Sequence, residues 1–246
     1  MKPPMARLDR LLANLGYGSR REVNALVRDG RVMLDSVVLK DAGAKVAIAS
    51  DLPTRLKING TAVDPPAPLT LIMHKPVGVV CSHKEAGRSV YELLPPRWRA
   101  RMPGLSSIGR LDKETTGLLL ITDDGPLLHR VISPKSHVTK RYLTTLDRSL
   151  SGDEMEIFAA GTLMLDSETE PLAPAMLEPL TEKSAWLTIT EGRYHQVRRM
   201  FAAVGNHVTA LHRDRIGGLV LPADLQPGDW RVLDDLSLQA IFEIGH

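Results

Sequence analysis

Apolar and polar positions alternate along the first third of the chain with two different periods. Leu8, Leu11, Leu12 and Leu15 recur at i, i+3, i+4 and i+7, which predicts a helix with one buried face, stopped at Gly16. Ser19-Arg20-Arg21-Glu22 has capping-box spacing and precedes Val23, Leu26 and Val27, so a second helix should run to about Gly30. The period then shortens. Arg31-Val32-Met33-Leu34 and Val37-Val38-Leu39 predict two short strands joined around Asp35-Ser36.

Asp64-Pro65-Pro66-Ala67-Pro68 interrupts the pattern. Its prolines lack amide donors and favour extended backbone, so residues 64–69 are expected to form a semi-rigid link between a module at 6–63 and a larger domain at 70–246. Beyond the link, Leu69–Met73, Leu118–Thr122, Tyr142–Leu146 and Trp186–Thr190 predict strands. Ser151-x-x-Glu154 should open a helix, and His195 to Ala203 should form another. Asp123-Asp124-Gly125 predicts a turn and N-cap before Leu127, Leu128 and Val131. Strands without regular βαβ alternation favour an α+β fold with a mixed, largely antiparallel sheet.

Charge changes this picture more than composition does. The 246 residues carry 31 basic and 29 acidic side chains, with 43% hydrophobic and 24% charged content, ordinary values for a globular protein. Residues 1–63, however, hold eleven Lys/Arg against six Asp/Glu. Arg7, Arg10, Arg20, Arg21, Arg28 and Arg31 fall on or near the polar faces of the predicted helices. Guanidinium groups make forked, charge-assisted bonds to phosphate, so a polyanion-binding head is expected. Cys81 is the only cysteine, which excludes a disulfide framework and a cysteine-based zinc site. The spacing of His195, His207 and His212 fits no common metal motif. With no signal-like apolar core near the N-terminus and no membrane-length apolar run, a cytoplasmic protein is expected.

Four stretches concentrate chemistry. His74-Lys75-Pro76-Val77-Gly78 puts a lysine in a tight turn, and Gly109-Arg110-Leu111-Asp112-Lys113-Glu114-Thr115-Thr116-Gly117-Leu118 puts a carboxylate in a turn before a buried run. Lys140-Arg141-Tyr142 opens a strand, and Gly192-Arg193-Tyr194-His195-Gln196-Val197-Arg198-Arg199-Met200 runs from a turn into a helix. Taken alone, Asp112 reads as a cap accepting the N–H of Thr115 or as an exposed, rigidly held reactive group, with the cap favoured by its own neighbours.

Residues 6–63 resemble the small RNA-binding module first described in ribosomal protein S-four, through Arg7-Leu8-Asp9, Ser19-Arg20-Arg21 and Gly30-Arg31-Val32. That family usually has Asp-Gly or Asn-Gly at the hairpin turn, where this chain has Asp35-Ser36. Over nearly its whole length the chain resembles ribosomal RNA pseudouridine synthases of the RsuA/RluB type. Gly-Arg-Leu-Asp-x-x-Thr-x-Gly-Leu and Gly-Arg-Tyr-His-Gln-Val-Arg-Arg-Met carry the likeness, although His74 replaces the family's usual Asn.

The resemblance implies isomerisation of uridine to pseudouridine in ribosomal RNA without cofactor or metal. It makes Asp112 the catalytic carboxylate, Tyr142 the stacking platform for an extruded uracil, Val197 a packing contact on the base and Arg198 the countercharge of Asp112. A paired guanidinium would keep a carboxylate ionised in a dry pocket. Lys75, Arg110, Arg193 and Arg199 are the expected RNA contacts of this domain. Ser133-Pro134-Lys135 and Phe201-Ala202-Ala203-Val204-Gly205-Asn206-His207-Val208 look most like the small-subunit enzymes, which implies 16S RNA, free or in an assembling small subunit, and a monomeric enzyme. A large-subunit enzyme of the same type, a non-catalytic assembly factor and a glycosidase-like hydrolase are the alternatives. The hydrolase would need a second acid, for which Glu114 and Glu191 are available.

Overall fold

The computed structural model describes residues 3–82 and 85–243. The chain divides into two compact units, residues 1–69 with 94–106, and residues 70–93 with 107–246.

In the first unit, helix Leu8–Asn14 buries Leu8, Leu11 and Leu12 as its spacing requires. Helix Arg20–Arg28 begins in a complete capping box, with the Ser19 hydroxyl accepting from the Glu22 amide and the Glu22 carboxylate accepting from the Ser19 amide. Val23 and Val27 face the same core, which also takes in Leu52, Leu56 and Ile58. Strand Val32–Leu34 pairs with Val37–Val38 and with Leu56–Ile58. Asp35 and Ser36 have φ of 48° and 68°. Both central residues are therefore left-handed, as a two-residue hairpin turn requires, even though glycine is missing from the pair. A separate pairing of Met5–Arg7 with Lys45–Ala47 was not visible in the apolar pattern.

The proline-rich segment is not a spacer. Arg97 holds the Asp64 carboxylate with two bonds of 2.7 and 3.0 Å, and Arg101 donates to the Pro65 carbonyl at 2.9 Å. The Tyr17 hydroxyl accepts the Asp64 amide at 3.1 Å, and the Arg97 guanidinium covers the Tyr17 ring. These partners include residues of the 94–106 excursion, so the first unit is completed by chain from beyond the expected boundary. Sequence spacing cannot show such a return.

The second unit is built on a mixed sheet. Its path runs Met176–Thr181, Ser184–Ile189, Lys140–Leu146, Val208–Ile216, Thr115–Thr122, Thr70–Lys75 and Trp230–Val232. All neighbours on this path are antiparallel except the parallel pair Val208–Ile216 with Thr115–Thr122. Leu118, Leu119, Leu120 and Ile121 are all fully buried, which explains their unbroken apolar run: this strand has no solvent face. Helix Gly125–Ile132 is capped by Asp124, whose carboxylate accepts the Leu127 amide at 3.0 Å. No described helix is long and apolar enough to cross a membrane.

Candidate active site

The turn carrying Asp112 is pinned from below. Lys75, wholly buried, donates from Nζ to the carbonyls of Pro76, Lys113 and Thr115 at 3.1, 3.2 and 2.8 Å. Lys75 therefore braces the loop from inside and cannot reach RNA, contrary to expectation. A lysine in a Pro/Gly turn reads as surface, but three carbonyl acceptors are enough to hold an ammonium indoors. Burial pushes its pKa below the ordinary lysine value.

With the loop held this way, the Thr115 amide donates to the main-chain oxygen of Asp112 at 3.0 Å. The side chain is thereby released from capping. Its Oδ1 lies 3.3 Å from His195 Nε2 and its Oδ2 lies 3.9 Å from Arg198 Nε, neither contact meeting hydrogen-bond geometry. The carboxylate retains 31% side-chain exposure. His195 reaches it from a left-handed backbone (φ 48°) at the start of helix Gln196–Ala203, with the Tyr194 ring stacked on it at 3.8 Å.

Asp112 opens onto a cavity of about 150 Å³ lined also by Tyr142, Val197, Leu211, Ile189 and Ile216. A cavity of ~150 Å³ has room for one six-membered ring. Tyr142, Val197 and Arg198 thus converge on Asp112 from strand Lys140–Leu146 and helix Gln196–Ala203. Arg198 is anchored through Nη1 to the Val208 carbonyl at 2.8 Å. Arg110 stands at the rim, mostly exposed and paired with the Glu85 carboxylate.

Arg193 and Arg199 are used internally instead. Arg193 bonds Glu168 and Glu191 and the carbonyls of Glu170 and Pro171. Arg199 bonds Glu168, the Tyr194 carbonyl and the Asp166 carbonyl. They clamp the 166–171 segment to the helix, so their charge is not free for RNA. Nothing in the local motif announces Glu168 as their partner.

The sequence motifs assign no role to two further basic residues of the pocket. Lys140 lines the cavity, and burial together with the charge of Arg213 pushes its pKa down to about 8. Arg213 lies at 4% exposure on strand Val208–Ile216. No clean alternation marks that strand: its buried apolar residues Val208, Leu211 and Ile216 are three and five positions apart, with His212, Arg213, Asp214 and Arg215 between the last two.

In the first unit all six expected arginines are exposed, but they are not equivalent. Asp9, at 2% exposure, is gripped by Arg7 (3.1 and 3.2 Å) and Arg20 (2.6 and 3.2 Å) and accepts the Arg10 amide at 2.7 Å. The guanidinium of Arg7, and next that of Arg20, holds its pKa well below the usual carboxylate range. Arg31 is bonded to Asn59 and Arg28 is paired with Asp29. Arg10 and Arg21 carry no side-chain partner among the described residues.

A ring-sized cavity on a mixed sheet, with an unbonded carboxylate among basic side chains, has the make-up of an enzyme site. The chain belongs to the RNA pseudouridylate synthase family, whose model matches residues 70–203, and residues 6–51 match the S4 domain. It is 40% identical over 239 residues to the ribosomal small subunit pseudouridine synthase A of Escherichia coli K12, covering 96% of this chain and 99% of that protein. The enzyme of that name from Vibrio cholerae is 40% identical over 96% of this chain and all of its own length. A solved pseudouridylate synthase structure superposes with a TM-score of 0.67 at 35% identity, over 96% of this chain and 99% of that one.

Proposed function

We propose that this protein isomerises a uridine of small-subunit ribosomal RNA to pseudouridine, with Asp112 as the reacting carboxylate. The observation carrying the residue assignment is that the Asp112 side chain holds nothing together. Its turn is closed by main-chain bonds and by Lys75, its oxygens make no hydrogen bond, and the residue lines the cavity. The reaction breaks the bond from the ribose anomeric carbon to base nitrogen one, turns the base, and bonds that carbon to ring carbon five, which gives up its proton to solvent while nitrogen one takes a proton up. Nothing is oxidised or reduced. Asp112 supplies the charged oxygen at the sugar or base. Arg198 and His195 keep positive or polar groups within 4 Å of it, and Tyr142 and Val197 hold the extruded ring. Turning a base out of its stack costs a few kcal/mol, which stacking on an aromatic ring can offset by ~1–3 kcal/mol.

The hydrolase alternative finds no free second acid at the cavity. Glu114 is not among the lining residues, and Glu191, which is, accepts from the Ala173 amide, from Gln196 and from Arg193, so it is spent on structure. The small-subunit assignment follows the names of the relatives. The first unit is the RNA anchor, and within it Arg10 and Arg21 are the free phosphate ligands. The enzyme works in the cytoplasm as a monomer on RNA or on the assembling small subunit.

Mapping pseudouridine across ribosomal RNA from a deletion strain, with and without the wild-type gene restored, tests the substrate. Loss of one site in 16S RNA is expected. An unchanged 16S pattern with a site lost from large-subunit RNA would overturn the subunit assignment. For the anchor, Arg10→Gln with Arg21→Gln should flatten the dependence of RNA affinity on salt, each lost phosphate contact lowering the log–log slope by ~0.7–0.9. An unchanged slope would show those arginines to be a solvated face.

A further inference from the structure

Arg213 poses a question that its structural role does not answer. Its Nε donates to the Leu118 carbonyl at 2.8 Å and its Nη1 to the Tyr142 hydroxyl at 3.2 Å. Its Nη2 is buried and meets no acceptor among the described residues. A guanidinium cannot escape this by losing its proton, so a buried unfilled N–H is costly unless a ligand supplies the acceptor.

The placement is built rather than accidental. Arg213 stands directly opposite Tyr142 in the antiparallel pairing, after a register shift between Arg141 and Tyr142. On its other side the parallel pairing sets it against Gly117, whose φ is 108°. A Cβ at Gly117 would come within 2.1 Å of the Arg213 carbonyl oxygen. The glycine of the Asp112 motif is therefore what lets the Arg213 strand approach.

Arg213 and Tyr142 are both lining residues of the cavity that holds Asp112. A donor fixed beside a ring-stacking surface, in a cavity with Ile189, Val197, Leu211 and Ile216 in its wall, suits a carbonyl oxygen on a planar heterocycle. We infer that Arg213 is a specificity-determining residue: its Nη2 donates to a carbonyl oxygen of the uracil seated against Tyr142, while its Nη1 fixes the tyrosine hydroxyl. The inference rests on the pocket receiving uracil, as proposed above. An oxygen read in this way also discriminates. At ring position four a cytosine offers an amino donor to a donor, which leaves both groups unpaired.

The test couples one protein atom to one substrate atom. Wild type, Arg213→Gln and Arg213→Lys are assayed by single-turnover isomerisation of a target RNA carrying uridine, 2-thiouridine or 4-thiouridine at the modified position. Sulfur is a poor acceptor, so wild type should react roughly ten- to a hundredfold more slowly with one of the two thio-substrates. Arg213→Gln should be slow with uridine and should lose most of that discrimination. Arg213→Lys keeps the charge without the fork, and should fall between. Wild type indifferent to both sulfur substitutions would overturn the inference, whether or not either variant folds. So would an active, folded Arg213→Gln showing the wild-type discrimination, since a purely structural arginine leaves the substrate-atom effect untouched. If wild type fails to isomerise the uridine RNA at all, it is the pseudouridine reading of the pocket that falls.

Discussion

Asp9 and Asp112 are both aspartates beside two basic side chains, and they are treated in opposite ways. Asp9 is almost wholly buried and accepts bonds of 2.6–3.2 Å from two arginines and a main-chain amide. Asp112 keeps about a third of its side-chain surface and stands 3.3 and 3.9 Å from its neighbours. Short bonds stabilise a charge by consuming its lone pairs, and a carboxylate so consumed cannot react. The looser arrangement leaves both of its oxygens outside any hydrogen bond. Asp9 is a fastening for the arginine face of the first unit, whereas the Asp112 side chain fastens nothing, as the role proposed for it requires.

This contrast predicts where damage should appear. The largest combined loss is expected for Gly117→Ala, because a Cβ would strike the Arg213 backbone and the position has φ of 108°. Stability of the second unit should fall by about 3 kcal/mol or more, and turnover should fall with it. Thermal unfolding at wild-type levels would mean that the two strands can part without cost.

Arg198→Met comes next and should act on rate far more than on stability. One group aimed at the reacting charge is worth ~10²–10³ in rate. Its 3.9 Å separation and partial exposure limit the stability change to about 1 kcal/mol. Single-turnover kinetics beside urea denaturation separate the two. A large stability loss with normal turnover would make Arg198 a fastening like the arginines around Asp9.

Asp9→Ala should show the reverse, costing the first unit ~1–3 kcal/mol with chemistry on a saturating short RNA unchanged. The sign with pH is determined by the direction of the shift. The folded-state pKa of Asp9 lies below its ordinary value of 3.8, so its contribution is complete above that pH and lost as pH falls through the lower folded value. Between pH 6 and 3 the gap between wild type and Asp9→Ala should therefore begin to narrow only near pH 4. A gap independent of pH down to 2 would show that the arginines do not act through the carboxylate's charge.

The smallest effect is a gain. Ser36→Gly at the left-handed turn position should stabilise the first unit by about 1 kcal/mol, read as a shift in the urea midpoint. No gain would show that the serine already sits in that conformation without strain.

These contrasts also mark what the sequence could reveal. The two N-terminal helices were legible because leucines at helical spacing and a Ser/Glu capping pair are local signals. Strand Val208–Ile216 was not, because Arg213 and His212 spend their polar atoms inside the fold, on Leu118, Tyr142 and Thr116. Asp112, Tyr142, Val197 and Arg198 could be grouped from the sequence only by likeness to a family, and the fold places them around one cavity. Lys75, Arg193 and Arg199 were misread for a common physical reason. A cation's exposure depends on whether distant carbonyls or carboxylates close on it, and here Thr115, Glu168 and Asp166 do so from far along the chain.

The central claim is that the Asp112 charge is free of structural duty. Tritium release from RNA labelled at carbon five of uridine, measured for Asp112→Asn against wild type at matched folded concentration, tests this most directly. Turnover should fall by at least about a thousandfold, or ~4 kcal/mol of barrier, with the melting temperature and RNA affinity of wild type retained. A variant that keeps a tenth of wild-type release would contradict the claim, and so would one that loses activity only because it no longer folds.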